Sequence, residues 1–254
     1  MVAAFRSWNA YATFAGAIRH KTRFVHDRTV RSFLSTIAKT IEPRVITLKS
    51  NRGAWRAQLG HDVEERTEEG VTYDEPVPYS ESRMKPLRFS AHEGRVNPRG
   101  IPCLYAASNK ETAVAEVRPW HGALVSVARL KLRRDLRLVN CADDGGIYHE
   151  IWFKQPPPQE RNGIVWRAIG HAFSDPVSPN MGIAEYAPTQ VIAEQFRSLG
   201  YDGLIYQSQL GKGTNLAVFD IDAMDVLDVH LIPVKAVRYE IGDAQESYSI
   251  KRPA

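Results

Sequence analysis

Short apolar runs of two kinds alternate from residue 101 onward, and this alternation limits the folds that the chain can adopt. The first kind has the length and composition of β-strands, at 101–107, 123–132, 136–140, 203–207 and 215–220. The second kind has the spacing and the end signals of helices, at 110–117, 163–173 and 188–200. Short strands interleaved with helices predict an α+β domain.

The first 86 residues have a different organisation. Residues 5–40 place apolar side chains three and four positions apart, which predicts a helical region, and residues 45–48 predict a strand. Residues 61–86 concentrate Glu and Asp and then three prolines. This composition predicts a solvated connection or a mobile loop rather than a core element.

The charge is distributed unevenly along the chain. The formal net charge is +4, but residues 1–58 hold eleven Lys and Arg against Asp27 and Glu42, a net charge of +9. An excess of this kind suits an anionic partner, whether a nucleic acid, an acidic protein or an acidic face of the same fold. The favoured interpretation is a solvated helix face that packs on its own domain.

Several classes of protein are excluded by what the sequence lacks. No apolar run reaches the ~18–20 residues of a membrane helix, and the first residues lack the basic start of a signal peptide. Cys103 and Cys141 are too few for a disulfide framework, and the eight histidines are dispersed, so no metal site is expected. The GKGT segment at 211–214 predicts a hairpin turn and not a phosphate-binding loop. These features predict a soluble, reduced, cytoplasmic protein.

The most informative segment is residues 93–118. Arg95 and Asn97 lie on a loop constrained by glycine and proline, Tyr105 lies in the strand that follows, and Glu116 lies in the next helix. Such a set can bind an anion, stack on a flat ring and supply a carboxylate. The alternative, from spacing alone, is that Arg95 and Glu116 simply form an ion pair with each other.

This segment resembles the signature of the RES domain family, which is named for its Arg, Glu and Ser. The matching stretches occur in the family's order between about residues 50 and 225: WRAQLG, RMKPL, GRVNPRGIPCLYAAS, ETAVAEVRPW, YAPTQVIAEQFRSLGYDGLIYQS and GTNLAVFD. The resemblance implies a longer member divided into a basic helical N-terminal extension (1–48), a catalytic core (49–235) and a C-terminal tail (236–254). It also implies an α+β fold like that of ADP-ribosyltransferases, a split β-sandwich with flanking helices.

The function implied by the resemblance is that of a bacterial toxin that consumes NAD⁺. Relatives cleave the nicotinamide–ribose bond with phosphate, giving ADP-ribose-1″-phosphate, or with water, and a helix-turn-helix antitoxin of the Xre type plugs their active site. NAD⁺ is then a substrate, phosphate a co-substrate, and no cofactor or metal is required. The alternatives are a protein ADP-ribosyltransferase and, from the residues alone, a nucleic-acid-binding module acting through the basic N-terminal segment. The sequence leaves open whether the chain forms a homo-oligomer.

The resemblance assigns site residues by their match to the family's motifs. The catalytic set is Glu116, Arg95, Tyr105 and Ser208, and the substrate-binding set is Arg56, Arg95, Tyr105, Ser208 and Asn97. Trp55 stands before Arg56 where the family more often has Tyr or Phe.

The chemistry of cleavage suggests what each side chain does. Glu116 would stabilise positive charge at C1″. Arg56 and Arg95 would clamp the diphosphate or an incoming phosphate. Tyr105 would stack on nicotinamide, and Ser208 would bind the ribose or orient the glutamate. Arg118 is kept in reserve, with a surface ion pair favoured, and Asn215 is assigned to the turn.

Overall fold

The computed structural model describes residues 3–142, 156–176 and 183–242. The helices in these ranges are α1 (Ala10–His20), α2 (Arg28–Thr40), α3 (Lys110–Glu116), α4 (Pro158–Ser174) and α5 (Ala187–Ser198). The single helical region predicted over 5–40 is therefore wrong in detail, since residues 21–27 interrupt it. The second helix starts afresh because the Asp27 side chain caps it, accepting a hydrogen bond from the main-chain N–H of Val30 (2.8 Å).

The strands form one large sheet and one small one. They are β1 (Val45–Leu48), β2 (Gly53–Leu59), β3 (Asp62–Glu68), β4 (Val71–Val77), β5 (Leu104–Ala107), β6 (Leu124–Leu132), β7 (Leu136–Asn140), β8 (Gly203–Gln207), β9 (Thr214–Val218) and β10 (Met224–Pro233). Among the described residues, the large sheet has eight strands in the order β1-β7-β8-β9-β5-β2-β6-β10. Only β7 and β8 run parallel there. The predicted α+β class with flanking helices is confirmed.

The large sheet is divided near its centre. Strand β2 pairs with β6 along its whole length, from Gly53 to Leu59, but with β5 only at Trp55 and Ala107. The strands β1, β7, β8, β9 and β5 therefore form one half of the sheet, and β2, β6 and β10 form the other. The incomplete pairing leaves a gap between β5 and β2, and residues of both strands beside this gap line the cleft described below.

The N-terminal helices share a core with the rest of the fold. Phe14 and Phe33 stack on each other at 4.3 Å between ring centroids, in a buried cluster that also holds Trp166 of α4, Phe196 of α5 and Leu204 of β8. Burying a side chain of this size stabilises the fold by about 1.5–3 kcal/mol. The basic residues of this segment therefore surround an apolar face that packs on its own domain. The division at residues 48 and 235 stays a prediction, and residues 243–254 of the predicted tail lie outside the described residues.

The acidic segment forms a hairpin, which corrects the connection predicted over 61–86. Strands β3 and β4 pair in register and turn through Glu69 and Gly70, whose φ angles are 52° and 80°. Two consecutive residues with positive φ are typical of the tightest hairpin turns. Arg66 also forms an ion pair with Glu75 across the two strands. The acidic composition of this segment does not indicate strand pairing, but most of its residues are exposed to solvent, as predicted.

None of the helices in the described part of the chain combines the length and the hydropathy that a membrane span needs.

Candidate active site

Helix α3 presents Glu116 at its C-terminal end. Asn109 caps the start of this helix, since its side-chain oxygen accepts a hydrogen bond from the N–H of Thr112 (2.8 Å). Because the helix has only seven residues, its last side chain lies close to the strands that precede and follow it. Glu116 is exposed and lines two adjoining clefts.

The Glu116 carboxylate is oriented by two neighbouring strands. Ser208 Oγ, just after β8, and Asn215 Nδ2, in β9, both donate to its Oε1 atom at 2.7 Å. Both donors are 5% exposed. Within the described part of the chain nothing donates to Oε2, so one carboxylate oxygen is held by the protein and the other is left for a ligand. The structure thus brings Ser208 and Glu116 together, and gives Asn215 a contact that its assignment to the turn does not include.

The turn between β8 and β9 is joined to helix α3, which keeps Ser208 and Glu116 in position relative to each other. It is a hairpin, as the sequence predicts for GKGT, since β8 and β9 pair antiparallel. The N–H of Gly213 donates to Thr112 Oγ1 (3.0 Å), which ties the turn to the first turn of α3. A Cβ atom at Gly211 or Gly213 would collide with that helix. At Gly211 the added atom would meet the Cα atom of Thr112, and at Gly213 it would meet side-chain atoms of Ser108, Asn109 and Thr112, so a residue larger than glycine would displace the turn.

Arg56 lines the larger cleft, which has a volume of about 310 Å³. The walls also include Trp55, Tyr105, Glu116, Tyr206 and Asn215. Across the gap between β2 and β5, Arg56 Nη1 donates to the main-chain oxygen of Tyr105 (2.7 Å), while Nε is buried and has no hydrogen-bond partner among the described residues. Burial lowers the pKa of Arg56. No carboxylate among the described residues pairs with it, so this half-buried cation is suited to an anionic ligand.

Arg95 lines the second cleft, of about 250 Å³, on the other side of Glu116. Its Nη1 donates to the main-chain oxygen of Asp175 at the end of α4, and its guanidinium lies 5.9 Å from the centre of the Tyr186 ring. The alternative of a simple Arg95–Glu116 ion pair is wrong, because these two described residues do not approach within ion-pair distance. Both clefts share Glu116, Tyr206 and Asn215, so they form one continuous site.

The loop that carries Arg95 is fixed by Tyr105 and Asn97. The Tyr105 hydroxyl donates to Asn97 Oδ1 (2.7 Å) and accepts from the N–H of Val96 (3.1 Å), and burial raises the pKa of this phenol. Asn97 Nδ2 donates to loop carbonyl oxygens, including that of Ile101 (2.8 Å). The Asn97 side chain therefore organises the loop, and its contact with substrate stays a prediction. Tyr105 is half-buried, packs against the hydrophobic core and lines the Arg56 cleft.

Three cleft residues were missed by the sequence analysis or left in reserve. Tyr206 is 6% exposed and lines both clefts; burial raises its pKa, and the nearby charge of Glu116 raises it further. Tyr186 and Arg118 line the second cleft. Tyr206 could have been found, because it lies two positions before Ser208 and alternate strand residues share a face. Tyr186 has no comparable signal in the sequence.

Comparison with known proteins gives one family and one distant structure. The family model described as "RES domain" matches residues 66–241, a range that begins after Arg56. No match was found among curated proteins. A solved structure, the M. tuberculosis MbcT–MbcA toxin–antitoxin complex, is similar at 13% identity and a TM-score of 0.39, over 77% of this chain and 91% of that chain. At such values no residue role can be transferred from it.

Proposed function

The chain belongs to the RES domain family, and on that premise we propose that it is a toxin-type enzyme that consumes NAD⁺ by breaking the nicotinamide–ribose bond. The observation that carries the proposal is the environment of Glu116. Among the described residues its carboxylate is anchored through Oε1 alone, and it lines two adjoining clefts that each contain an arginine, Arg95 in one and Arg56 in the other. A site of this kind suits a substrate with anionic phosphates and a reaction centre that becomes positive.

Each side chain of the site has a separate role in the proposed reaction. When the C1″–N bond breaks, its electron pair leaves with the nicotinamide ring, which becomes neutral, and positive charge develops at C1″ and the ring oxygen. Oε2 of Glu116 stabilises that charge, while Ser208 and Asn215 keep the carboxylate from rotating. Arg56 supplies positive charge for the diphosphate.

Tyr105 has a more limited part in this proposal. Its hydroxyl is already committed to Asn97 and to the N–H of Val96. The ring face is what remains for a flat nicotinamide group.

The first test is mass spectrometry of the products formed from NAD⁺ with and without inorganic phosphate. Phosphorolysis gives a product heavier than ADP-ribose by one HPO₃ unit, and hydrolysis gives ADP-ribose itself. The Glu116→Gln variant is expected to lose at least about 100-fold in turnover, as when one preorganised electrostatic contact is removed. Glu111→Gln is the matched control, since Glu111 is an exposed residue in the first turn of the same helix. Full turnover by Glu116→Gln would overturn the proposal.

A protein ADP-ribosyltransferase is the alternative use of the same carboxylate. It would transfer ADP-ribose to a protein side chain instead of a small acceptor. Incubation with NAD⁺ labelled in its adenosine half separates the two outcomes. Label that stays in small molecules supports NAD⁺ degradation, and label that becomes covalently attached to protein supports the transferase.

A protein antitoxin is the proposed partner. The family resemblance predicts a helix-turn-helix protein of the Xre type that plugs the active site. Glu116 and Arg118 are both exposed at the cleft, so a protein segment can reach them. Growth arrest on expression should require Glu116, and co-expression of the antitoxin should relieve the arrest and preserve cellular NAD⁺.

A further inference from the structure

Arg118 has a left-handed backbone conformation directly after the helix that carries Glu116. Its φ angle is 47°, and its N–H donates to the main-chain oxygen of Ala115 (3.0 Å), closing the end of α3. Glycine is the usual residue at this position of a helix end, because the Cβ atom of other residues is crowded in this conformation. The chain therefore keeps an arginine where glycine would be conformationally easier.

Arg118 is exposed and lines the cleft that also contains Arg95. The surface ion pair favoured for it by the sequence is not formed, since no carboxylate in the described ranges lies within ion-pair distance of its guanidinium. Arg95 uses a main-chain oxygen and an aromatic ring as partners, which leave its positive charge unneutralised. Arg95 and Arg118 thus both line a cleft of about 250 Å³, in which Glu116 is the one acidic residue among the described residues of the lining.

The two clefts differ in what they can bind. The Arg56 cleft has aromatic and alanine walls, suited to the rings and diphosphate of a dinucleotide. The Arg95 cleft is the more polar of the two, with hydroxyl, amide and guanidinium groups in its lining. Both open at Glu116. A small tetrahedral anion in the Arg95 cleft would therefore lie beside Glu116, next to the carbon whose positive charge this carboxylate is proposed to stabilise.

We infer that Arg118, together with Arg95, binds the phosphate that accepts ADP-ribose, and that Arg118 thereby determines whether phosphate or water is the acceptor. This inference rests on the proposed function. An oxygen of HPO₄²⁻ donates its lone pair to C1″ as the C1″–N pair leaves with nicotinamide. The proton that remains on the phosphate passes to solvent, and ADP-ribose-1″-phosphate is released. Guanidinium groups suit this task, because they bind phosphate oxygens in pairs.

The decisive variant is Arg118→Gly, which removes the side chain while easing the backbone conformation. The KM for phosphate should rise roughly 10-fold to 100-fold, the loss expected for a charge-assisted contact. The KM for NAD⁺ should stay unchanged, and the product ratio should move toward ADP-ribose. The melting temperature should not fall. Arg118→Lys keeps the charge but not the paired donors, so its KM for phosphate should lie between that of the parent protein and that of Arg118→Gly.

Glu69→Gly is the matched control, because Glu69 has a similar φ of 52° but lies in the hairpin turn of β3 and β4. It should leave the product ratio and both KM values unchanged. The inference is overturned if Arg118→Gly retains the phosphate KM and the product ratio, or if it lowers both reactions equally through a lower melting temperature.

A binding measurement separates this inference from the proposed function. Titration of the full chain with inorganic phosphate alone, followed by ³¹P NMR line width, requires no turnover of NAD⁺. Binding that weakens in Arg118→Gly but not in Glu69→Gly supports the anion site even if NAD⁺ is not consumed. Equal binding by both variants overturns it, even if NAD⁺ is consumed.

Discussion

Replacing Ser208 with alanine tests how far the protein itself maintains the geometry of Glu116. The hydroxyl makes three hydrogen bonds: Oγ donates to Glu116 Oε1 (2.7 Å) and accepts from the N–H groups of Leu210 (3.2 Å) and Gly211 (3.0 Å). One atom therefore both closes the turn after β8 and orients the carboxylate. Alanine removes all three contacts and adds no bulk.

The expected loss of stability follows from these contacts. A hydrogen bond to a charged group contributes about 1.5–3 kcal/mol, and a neutral one about 0.5–1.5 kcal/mol. Water can reach the freed N–H of exposed Leu210 and half-buried Gly211, which reduces the loss from those two bonds. The free energy of unfolding should therefore fall by about 2–4 kcal/mol. In a protein of this size the melting temperature should fall by roughly 5–15 °C.

Urea unfolding and thermal melting of Ser208→Ala measure this loss directly. Ser82→Ala is the control, because its hydroxyl bonds only to Ser80 Oγ at the surface (3.1 Å) and its removal should be nearly neutral. In a Ser208→Ala/Glu116→Ala double variant the losses should not add, since both changes remove the same bond. A Ser208→Ala protein within about 0.5 kcal/mol of the parent would refute the reasoning, because that is the range of ordinary surface substitutions.

Three further predictions concern the same site and the core. Asn215→Asp places a second carboxylate against Glu116 and should lower the free energy of unfolding by about 2–4 kcal/mol at pH 8, and by less at pH 5, where one carboxyl of the pair becomes protonated. A urea midpoint equal to that of the parent protein at both pH values would contradict this. Gly213→Ala forces the turn away from α3 and should cost about 1–3 kcal/mol in urea unfolding and lower turnover; parental stability would contradict it. Burial raises the pKa of Cys103 and Cys141 to about 12, so both should resist alkylation at pH 8 unless urea is present. The thiols of the unfolded chain ionise at about pH 8.5, whereas the buried thiols stay protonated, so the free energy of unfolding should decrease as the pH rises from about 8.5 toward 12. Rapid alkylation of the native protein at pH 8 would contradict the burial of these thiols.

Local signals account for the elements that the sequence predicted correctly. The helix at 110–117 was predicted from its cap, and Asn109 does cap it. The end of α5 was predicted from Gly200, whose φ is 83°. The strands at 45–48 and 203–207 were found from composition and turn residues. Each of these signals acts within a few residues of the element that it defines.

Elements that depend on distant partners were not predicted. Strand β2 holds Arg56, but apolar and polar residues do not alternate regularly along it. Which of its sides is buried depends on its pairing with β6, a partner distant in the sequence. Strand β10 has an irregular register near Val226 and Asp228, which breaks the two-residue period. The hairpin of β3 and β4 has few apolar side chains, so its cross-strand pairs and its turn are what define it.

The site shows the same limit. Glu116 and Ser208 are 92 positions apart, and only the family resemblance linked them before the fold was known. Asn215 was assigned to the turn because its residue type suits a turn, whereas the register of β8 with β9 places it opposite Tyr206 and beside the carboxylate. The backbone conformation of Arg118 has no signature in the sequence, since arginine is an unusual choice there.

The contrast between anchored and unneutralised charges indicates which ligands this cleft suits. Glu116 is held by two buried donors, so little reorganisation is needed when positive charge develops next to it. Arg56 instead is half-buried and lacks a carboxylate partner within the described residues, so its charge is desolvated without being neutralised. An anionic ligand offsets that penalty and stabilises the folded protein increasingly as its concentration rises above the dissociation constant. A substrate that brings its own phosphates and generates a cation only during reaction satisfies both conditions, which supports a pyridine dinucleotide over a neutral sugar.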